Sequence, residues 1–386
     1  MTEHYIGLMS GTSLDGVDGV VVAFDSTGNT TVDTSPNKVS MRVLAHQALP
    51  FSATLKAELL ALNTASRNEL HRAALAANAL TEVYAQTVQL LLQRTGLTVQ
   101  DIRAVGAHGQ TVRHQPGLHD GVGYTTQLNN PALLAERTGL CVVADFRSRD
   151  VAAGGQGAPL VPAFHQEVFG RRDACVAVLN LGGIANLSVL RPGEMAQGFD
   201  CGPGNALLDH WCHLHRGQAY DHQGQWAASG RVQIDWLSCL LSEPFFQLPP
   251  PKSTGRDLFN PAWLQAQLQG FETVRPQDVQ ATLSALTAHT SATALQQQAP
   301  DCRELIVCGG GAFNLQLMRQ LQEALPEVKV VSSSERGLPP LEVEASAFAW
   351  LARQTVLRQT GNLPSATGAR GARVLGAVYP AESAAD

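Results

Sequence analysis

Short apolar runs and glycine-rich turns alternate along this chain, and they do so twice in the same order. Residues 5–8 form an apolar run, 9–16 a turn of Gly, Ser, Thr and Asp, and 17–24 a second run containing Val20, Val21 and Val22. The pattern predicts a β-hairpin. Residues 175–190 repeat strand, Gly-Gly turn and strand. After the first hairpin a helical period spans 66–94 and opens on Ser66-x-x-Glu69, the spacing of a capping box. A strand over 102–109 that ends in glycines, a helix over 131–138 and a strand over 141–144 complete the first half. In the second half a helix over 276–298 precedes Leu305-Ile-Val-Cys-Gly-Gly-Gly311, then a helix over 313–324 and a strand over 328–331. The matching order predicts an internally duplicated α/β protein. Its domains are expected at 1–172 and 173–386, with a crossing back of the C-terminal segment left open. The two glycine turns are expected to face each other across a central cleft, where ligands of two-domain proteins commonly sit.

Composition narrows the class. At 386 residues the chain has room for two domains of ordinary size. With 44% apolar and 16% charged residues it reads as globular and soluble. A net charge of −6 gives no basic footprint for nucleic acid. No apolar run approaches the length of a membrane span, and no basic-then-apolar segment marks a secretory signal. Seven cysteines without paired spacing suit a reducing cytoplasm.

Several residues are candidates for chemistry. The first turn, Met9-Ser-Gly-Thr-Ser-Leu-Asp-Gly-Val-Asp18, presents backbone N–H groups and hydroxyls in a concavity that suits phosphate oxygens; its simpler reading is a turn and nothing more. Asp15 and Asp18 are candidates to hold a metal ion, directly or through water. No Gly-Lys-Ser/Thr closes the segment and a strand follows it, so it is not a Walker A loop. Asp200 precedes Gly-Pro-Gly-Asn205, with Asn205 placed to cap a helix over 206–214. Two readings stand: the carboxylate projects from a tight turn into the cleft, or it hydrogen-bonds the amides of its own turn. Glu344 opens a helix over 344–358, where an acid is favourable whatever its function, and Glu342 is its equivalent in that role. His108-Gly109-Gln110-Thr111 follows a buried-looking strand, where α/β proteins place ligand contacts, although a lone His there is more often structural. Residues 252–256 follow three prolines and read as an exposed, solvated loop with the cations Lys252 and Arg256. His210 and His213 lie three apart on one helix face, but no second cluster completes a tetrahedral metal site.

The layout resembles the superfamily of actin-like ATPases, sugar kinases and 70-kDa heat-shock chaperones. That resemblance implies two duplicated actin-like, ribonuclease-H-like domains around a central ATP and sugar cleft. It places Gly11, Thr12, Ser13, Leu14, Asp15, Gly16, Val17 and Asp18 at the β- and γ-phosphates. Gly182, Gly183 and Asn186 would close on them, and Gly309, Gly310, Gly311 and Asn314 would lie at the adenosine. The His-x-x-x-His pair of the metal-dependent branch is absent.

A narrower resemblance covers nearly the whole chain. Met9-Ser-Gly-Thr-Ser-Leu-Asp-Gly, Ala107-His-Gly-Gln-Thr, the segment 144–159, Asn180-Leu-Gly-Gly-Ile-Ala-Asn186, Gly198-Phe-Asp-Cys-Gly-Pro-Gly-Asn205, Pro251-Lys-Ser-Thr-Gly-Arg256 and Glu344-Ala-Ser-Ala-Phe-Ala-Trp350 occur in order. Together they are similar to the anhydro-N-acetylmuramic acid kinases of cell-wall recycling. The resemblance implies ATP and Mg2+ as cofactors, an amino-sugar substrate, Asp200 as catalytic base, and Glu344 holding the attacking water or the sugar. It further implies sugar contacts from His108, Gly109, Gln110, Thr111, Arg147, Asp150, Gly155 and Gln156. Arg147 is the candidate for the lactyl carboxylate, since guanidinium matches carboxylate bidentately. Arg137 and Arg149 are its rivals, and an Arg147–Asp150 pair is the plain alternative. The family usually has Thr where Cys201 stands, which bears only on local hydrogen bonding. Two other functions remain open at this stage: an ordinary sugar kinase acting on a free hydroxyl, and an actin- or chaperone-like ATPase. The insertion over 205–270 reads as sugar-site material. A homodimer is compatible with the sequence, which carries no interface signature for one.

Overall fold

The computed structural model describes residues 2–11, 13–25, 40–255 and 258–381. Thr12 and Arg256, singled out above, lie outside the described residues. The strands in chain order are β1 (Thr2–Met9), β2 (Gly16–Asp25), β3 (Ser40–Pro50), β4 (Ile102–Ala107), β5 (Gln110–Pro116), β6 (Gly123–Leu128), β7 (Val142–Ala144), β8 (Val176–Leu181), β9 (Ile184–Leu190), β10 (Gln197–Pro203), β11 (Glu304–Cys308), β12 (Lys329–Ser332) and β13 (Ala377–Tyr379). Two compact units result, Met1–Val168 with Leu341–Asp386, and Phe169–Pro340. Residues 341–386, placed from sequence with the second half but with a crossing back left open, group with the first.

The first unit is built on a sheet of order β13-β7-β4-β1-β2-β3, and the second on β10-β9-β8-β11-β12. In both, an antiparallel three-strand meander (β1-β2-β3, β8-β9-β10) is continued by two parallel strands (β4 and β7, β11 and β12). The same strand order with the same directions in both units bears out the α/β class and the internal repeat. The third strand of each meander, β3 and β10, has no counterpart in the sequence reading.

Alternation along β1 sends Ile6 and Leu8 to one face, where they join Leu80, Tyr84 and Val88 of the helix Glu69–Thr95 in one apolar core. Gly7 faces the other way, against the helix Val343–Val356. A Cβ on Gly7 would run into the carbonyl oxygen of Ala345, and one on Gly106 of β4 into that of Phe348. Glycine is needed at both because the helix backbone lies directly on the strands. The helix answers with its own small residues, buried Ala345, Ala347, Ala349 and Ala352.

In the second unit the helix Pro276–Gln298 is buried along most of its length because it separates two cores. One lies over the sheet and contains Leu179, Leu187, Phe199 and Leu305. The other contains Trp211, Trp236, Phe245, Phe259 and Leu264 from the insertion, together with Val279 and Leu286 of the helix. The insertion is thus a packed layer in its own right.

Helix ends show where local signals suffice. Pro131–Thr138 matches its expected bounds, because Asn130 Oδ1 accepts from Leu133 N at 3.1 Å and Gly139 ends the helix at φ +67°. Ser66 does not cap its helix. Its N–H donates to Glu69 Oε2 at 3.3 Å, but the helix begins at Glu69, after Asn68 in the left-handed region. Asn205 makes no side-chain cap either; its amide donates to Leu181 O at 2.8 Å. The helix at 344–358 is observed as Val343–Val356.

Candidate active site

The first hairpin pairs Met9 with Asp18 at its turn end, and the turn between is held from outside. Ser10 Oγ donates to Gly109 O at 3.0 Å, Gly109 N donates to Tyr84 Oη at 3.0 Å, and Gln110 Nε2 donates to Gly11 O at 3.1 Å. His108 to Gln110 therefore buttress the turn that Gly11 begins. Leu14 adopts φ +58° with its side chain buried, so the turn shows backbone, not a side chain, at that point. Val17 is likewise buried. Ser13 is exposed, and Gly16 is partly so. The two aspartates have different partners: Asp15 Oδ1 pairs with Lys56 Nζ at 2.9 Å and Asp18 Oδ1 with His46 Nε2 at 2.9 Å. Among the described residues no group of three or more His, Cys, Asp or Glu side chains is arranged to hold a metal ion.

In the second unit the Gly182-Gly183 turn is bound to the start of the helix Ala206–Arg216. Asn205 N donates to Gly182 O at 2.8 Å, and Gly204 N and Ala206 N donate to Gly183 O at 3.0 and 3.1 Å. Asn186 pairs with Asn180 on one side and Asp200 on the other. At the end of β11, Gly309 and Gly311 lie against β8: a Cβ on Gly309 would come within 2.5 Å of Asn180 Oδ1, and one on Gly311 would run into Leu181 Cβ. Gly310 between them is exposed. Asn314 caps the helix Leu315–Ala324, its Oδ1 accepting from Leu317 N at 3.0 Å.

Asp200 sits on β10, not in a tight turn. Its strand carries a bulge between Asp200 and Gly202, and Gly202 there takes φ +144°. The segment after the prolines is not a solvated loop. Lys252 O accepts from Asp200 N at 3.1 Å, Thr254 N donates to Asp200 Oδ2 at 2.8 Å, and Lys252 Nζ donates to Phe245 O and Phe246 O at 3.2 Å each. Burial raises the Asp200 carboxyl to about 7, against the opposing pull of the Thr254 amide and the Lys252 charge. Its neighbour Cys201 is buried in the sheet core, and burial followed by the Asp200 charge pushes its thiol up.

The polar residues of the first unit converge on Arg147. Its Nε donates to His108 Nε2 at 3.0 Å and its Nη1 to Gly157 O at 2.7 Å. Burial lowers the guanidinium to about 10, and the charges of Glu344 and Asp150 oppose the shift. Glu344 thus lies within the field of Arg147. Glu342 is different: burial raises its carboxyl, and His46 is the charge that counters it. His108 is held far below its usual pKa by burial and then by Arg147, so it is neutral. Since His108 Nε2 accepts from Arg147, its proton is on Nδ1. Thr111 Oγ1 accepts from Gln127 Nε2 at 3.1 Å on the neighbouring strand. Arg137 is engaged elsewhere, with Glu82 at 2.9 Å, and Arg149 is exposed.

Asp150 is fully buried and makes no direct ion pair with Arg147. Oδ1 accepts from Asn362 Nδ2 at 2.5 Å and Thr367 Oγ1 at 2.8 Å, and Oδ2 accepts from Gly157 N at 2.8 Å. A Cβ on Gly155 would strike that carboxylate, and Gln156 N donates to Thr367 O at 2.7 Å. Asp150 is the pin that fastens the 154–157 loop to the C-terminal segment. Asp150→Ala would strand three buried donors, a loss on the order of 3 kcal/mol. Scanning calorimetry is expected to show a melting temperature roughly 6–12 °C lower.

A second set of polar residues lies outside the candidates named from sequence. Thr125, Gln127, Asn129 and Asp145 line a cavity of about 220 Å3 together with His108 and Tyr379. Asn129 and Asp145 each follow the last residue of a strand, a position that could have drawn notice; Asp145 lies at the start of the motif at 144–159 without having been singled out, and Asn129 sits in no motif.

A partly buried carboxylate poised near neutrality, in a chain that twice builds the same glycine-turn hairpin, fits a phosphotransferase, and by class the protein is a kinase. A family model described as anhydro-N-acetylmuramic acid kinase matches residues 3–381. The chain belongs to that family. Proteins named anhydro-N-acetylmuramic acid kinase are 58% identical to it in Albidiferax ferrireducens (99% of this chain, 100% of the relative) and 57% identical in Variovorax paradoxus (98% and 99%). That of Bordetella pertussis is 56% identical (98% and 96%). Among solved structures, the activator of the 2-hydroxyisocaproyl-CoA dehydratase from Clostridium difficile aligns over 93% of this chain and 99% of its own, at 12% identity and a TM-score of 0.44. Among the described residues no helix is long and apolar enough to cross a membrane.

Proposed function

We propose that the protein opens 1,6-anhydro-N-acetylmuramic acid with water while transferring the γ-phosphoryl group of ATP to O6. The products are N-acetylmuramic acid 6-phosphate and ADP, a step of murein recycling in the cytoplasm. In this substrate O6 is locked in the anhydro bond, so there is no 6-hydroxyl to deprotonate. The base must instead take a proton from the water that attacks C1, and O6 leaves as an incipient alkoxide that accepts the phosphoryl group. The step is that of an inverting glycosidase in which phosphoryl transfer replaces the catalytic acid.

The observation that carries this reading is Asp200, a partly buried carboxylate whose pKa, raised to about 7, suits a base at cytoplasmic pH. Glu344 orients the attacking water or the sugar, and Arg147 is the candidate for the lactyl carboxylate. Gly11 to Asp18, with Gly182, Gly183 and Asn186, would receive the phosphates. Glycine-containing turns suit that task, and Leu14 in the left-handed conformation with its side chain buried leaves backbone at that point of the first turn. Gly309, Gly310, Gly311 and Asn314 would lie at the adenosine. Asp15 and Asp18 are hard oxygen donors beside the first turn, of the kind that Mg2+ takes, often through water. Bound there with ATP, Mg2+ would neutralise charge on the phosphates.

An ADP-release assay with Mg-ATP and the anhydro sugar in 18O-labelled water tests the proposal. One label at C1 of the 6-phosphate is expected. ADP release only with a free sugar would mean an ordinary kinase, and release regardless of sugar an actin- or chaperone-like ATPase. The pH profile adds a second check. The ionised form of Asp200 is the active one, so kcat/KM is expected to rise with pH and level off above about 7. A limb near the ordinary aspartate value would remove Asp200 as the base.

A further inference from the structure

We propose that the second unit carries a binding site for a small monocarboxylate with an apolar body, seated in a cavity beside the strand of Asp200. Binding there is independent of the kinase reading above, and only its effect on turnover rests on that reading. The cavity, of about 200 Å3, lies between β10, the segment 241–252 and the C-terminal half of the helix Pro276–Gln298. All its lining residues belong to the second unit. A void of about 150 Å3 holds a benzene ring, so this one has room for a ring or a short chain with its carboxylate.

Its chemistry is graded from floor to rim. Phe199, Cys201, Thr290 and Ala294 are buried, whereas Gln247, Leu248, Thr293 and Gln297 are exposed. Among the described lining residues Lys252 alone carries a charge, since burial holds the Cys201 thiol in its neutral form. Lys252 Nζ donates to Phe245 O and Phe246 O at 3.2 Å each, which leaves one of its three N–H bonds unused. Among the described residues no carboxylate forms an ion pair with it. A partly buried ammonium with a donor to spare, at the side of an apolar hollow, suits a carboxylate whose body fills that hollow. A phosphate would bring more charge than one lysine answers, and a sugar would press its hydroxyls against Phe199 and Ala294.

Two contacts link the cavity wall to Asp200. Lys252 O accepts from Asp200 N at 3.1 Å, and Phe246 seats on the bulge, where a Cβ on Gly202 would come within 2.7 Å of its ring. The charge of Lys252 opposes the rise that burial imposes on the Asp200 carboxyl, and the Cys201 thiol beside it is uncharged. A carboxylate bound to Lys252 cancels part of that charge. Asp200 then keeps its proton to higher pH, and less of the ionised base is present at a given pH. The occupant is therefore an inhibitor, and a stronger one below neutrality than above it.

The test titrates benzoate and its uncharged counterpart benzamide into the full chain by isothermal calorimetry, without nucleotide or sugar. Saturable binding of benzoate is expected, at least about tenfold tighter than that of benzamide. Lys252→Met is expected to bring benzoate down to the affinity of benzamide. Thr293→Trp, which fills the mouth from an exposed rim position, is expected to abolish binding of both probes and to keep turnover. In the ADP-release assay benzoate is expected to lower kcat/KM more below pH of about 7 than above it, and to have no effect on Thr293→Trp. No saturable binding, equal binding of the two probes, or benzoate binding that survives both substitutions overturns the site. Binding without inhibition overturns the link to Asp200. A failure of the kinase reading would show separately, as no ADP release with the anhydro sugar before benzoate is added, and the calorimetry would still decide the site.

Discussion

Asp200→Asn is expected to give a folded protein that binds ATP and sugar but turns over about 10²–10⁴-fold more slowly. Asparagine keeps an oxygen for the Thr254 amide, which donates to Asp200 at 2.8 Å, so the strand and the 252–254 segment stay joined. What is lost is the proton acceptor. Near-normal turnover in single-turnover assays would remove Asp200 from the mechanism. The same variant reports on stability with a definite sign. The folded carboxyl titrates near 7 and the unfolded one near 4, so the native state holds the proton more tightly between these values. Wild-type stability therefore falls as pH climbs through that window, and the cost is complete above it. Asn carries no such cost. Melting curves at pH 5 and pH 8 are expected to show a decline in the wild type that the variant lacks.

Gly106→Ala is expected to damage stability and activity together. The added methyl would occupy the position of the Phe348 carbonyl oxygen, with Ala352 Cβ also at 3.0 Å. Overpacking in a core costs about 1–3 kcal/mol when side chains can shift, and here the obstacle is helix backbone. The loss is expected at or above the upper end of that range. The helix that must move carries Glu344 in its first turn, so kcat is expected to drop even where the protein remains folded. Thermal unfolding paired with kcat below the melting transition checks both. A stable, fully active variant would mean that the helix does not need its close seat on β4.

The fold was legible where local chemistry and tertiary demand agree. Both hairpins followed from apolar runs around glycine turns. The helix at 131–138 was bounded correctly by Asn130, Pro131 and Gly139, and that at 276–298 by its opening proline and its length. Errors came where context overrules local signals. Gly198 to Asn205 looked like a turn because of its glycines and proline, yet β9 supplies a partner strand and the bulge absorbs Gly202. The β5–β6 hairpin escaped notice because its residues are largely polar and only partly buried. Asn205 and Lys252 looked like a cap and a solvated cation, and each instead hydrogen-bonds a carbonyl distant from that role. Of the candidate site, the motif residues were readable and their partners were not. No spacing rule announces that Asp150 reaches Asn362 and Thr367, more than two hundred positions away. Asn129 was invisible for a related reason, since what distinguishes it is a buried side-chain amide without a protein partner.

The membership of residues 341–386 in the first unit has a consequence for how the protein is made. A ribosome delivers the whole of 169–340 before it delivers the helix that covers Gly7 and Gly106, or the strand β13 that pairs Ala377 with Ala144. The first unit to begin emerging is therefore the last that can finish. While the second is being synthesised, the glycine-lined face of the first sheet waits uncovered, an open seat for a chaperone or a mispaired helix until the helix Val343–Val356 and β13 arrive.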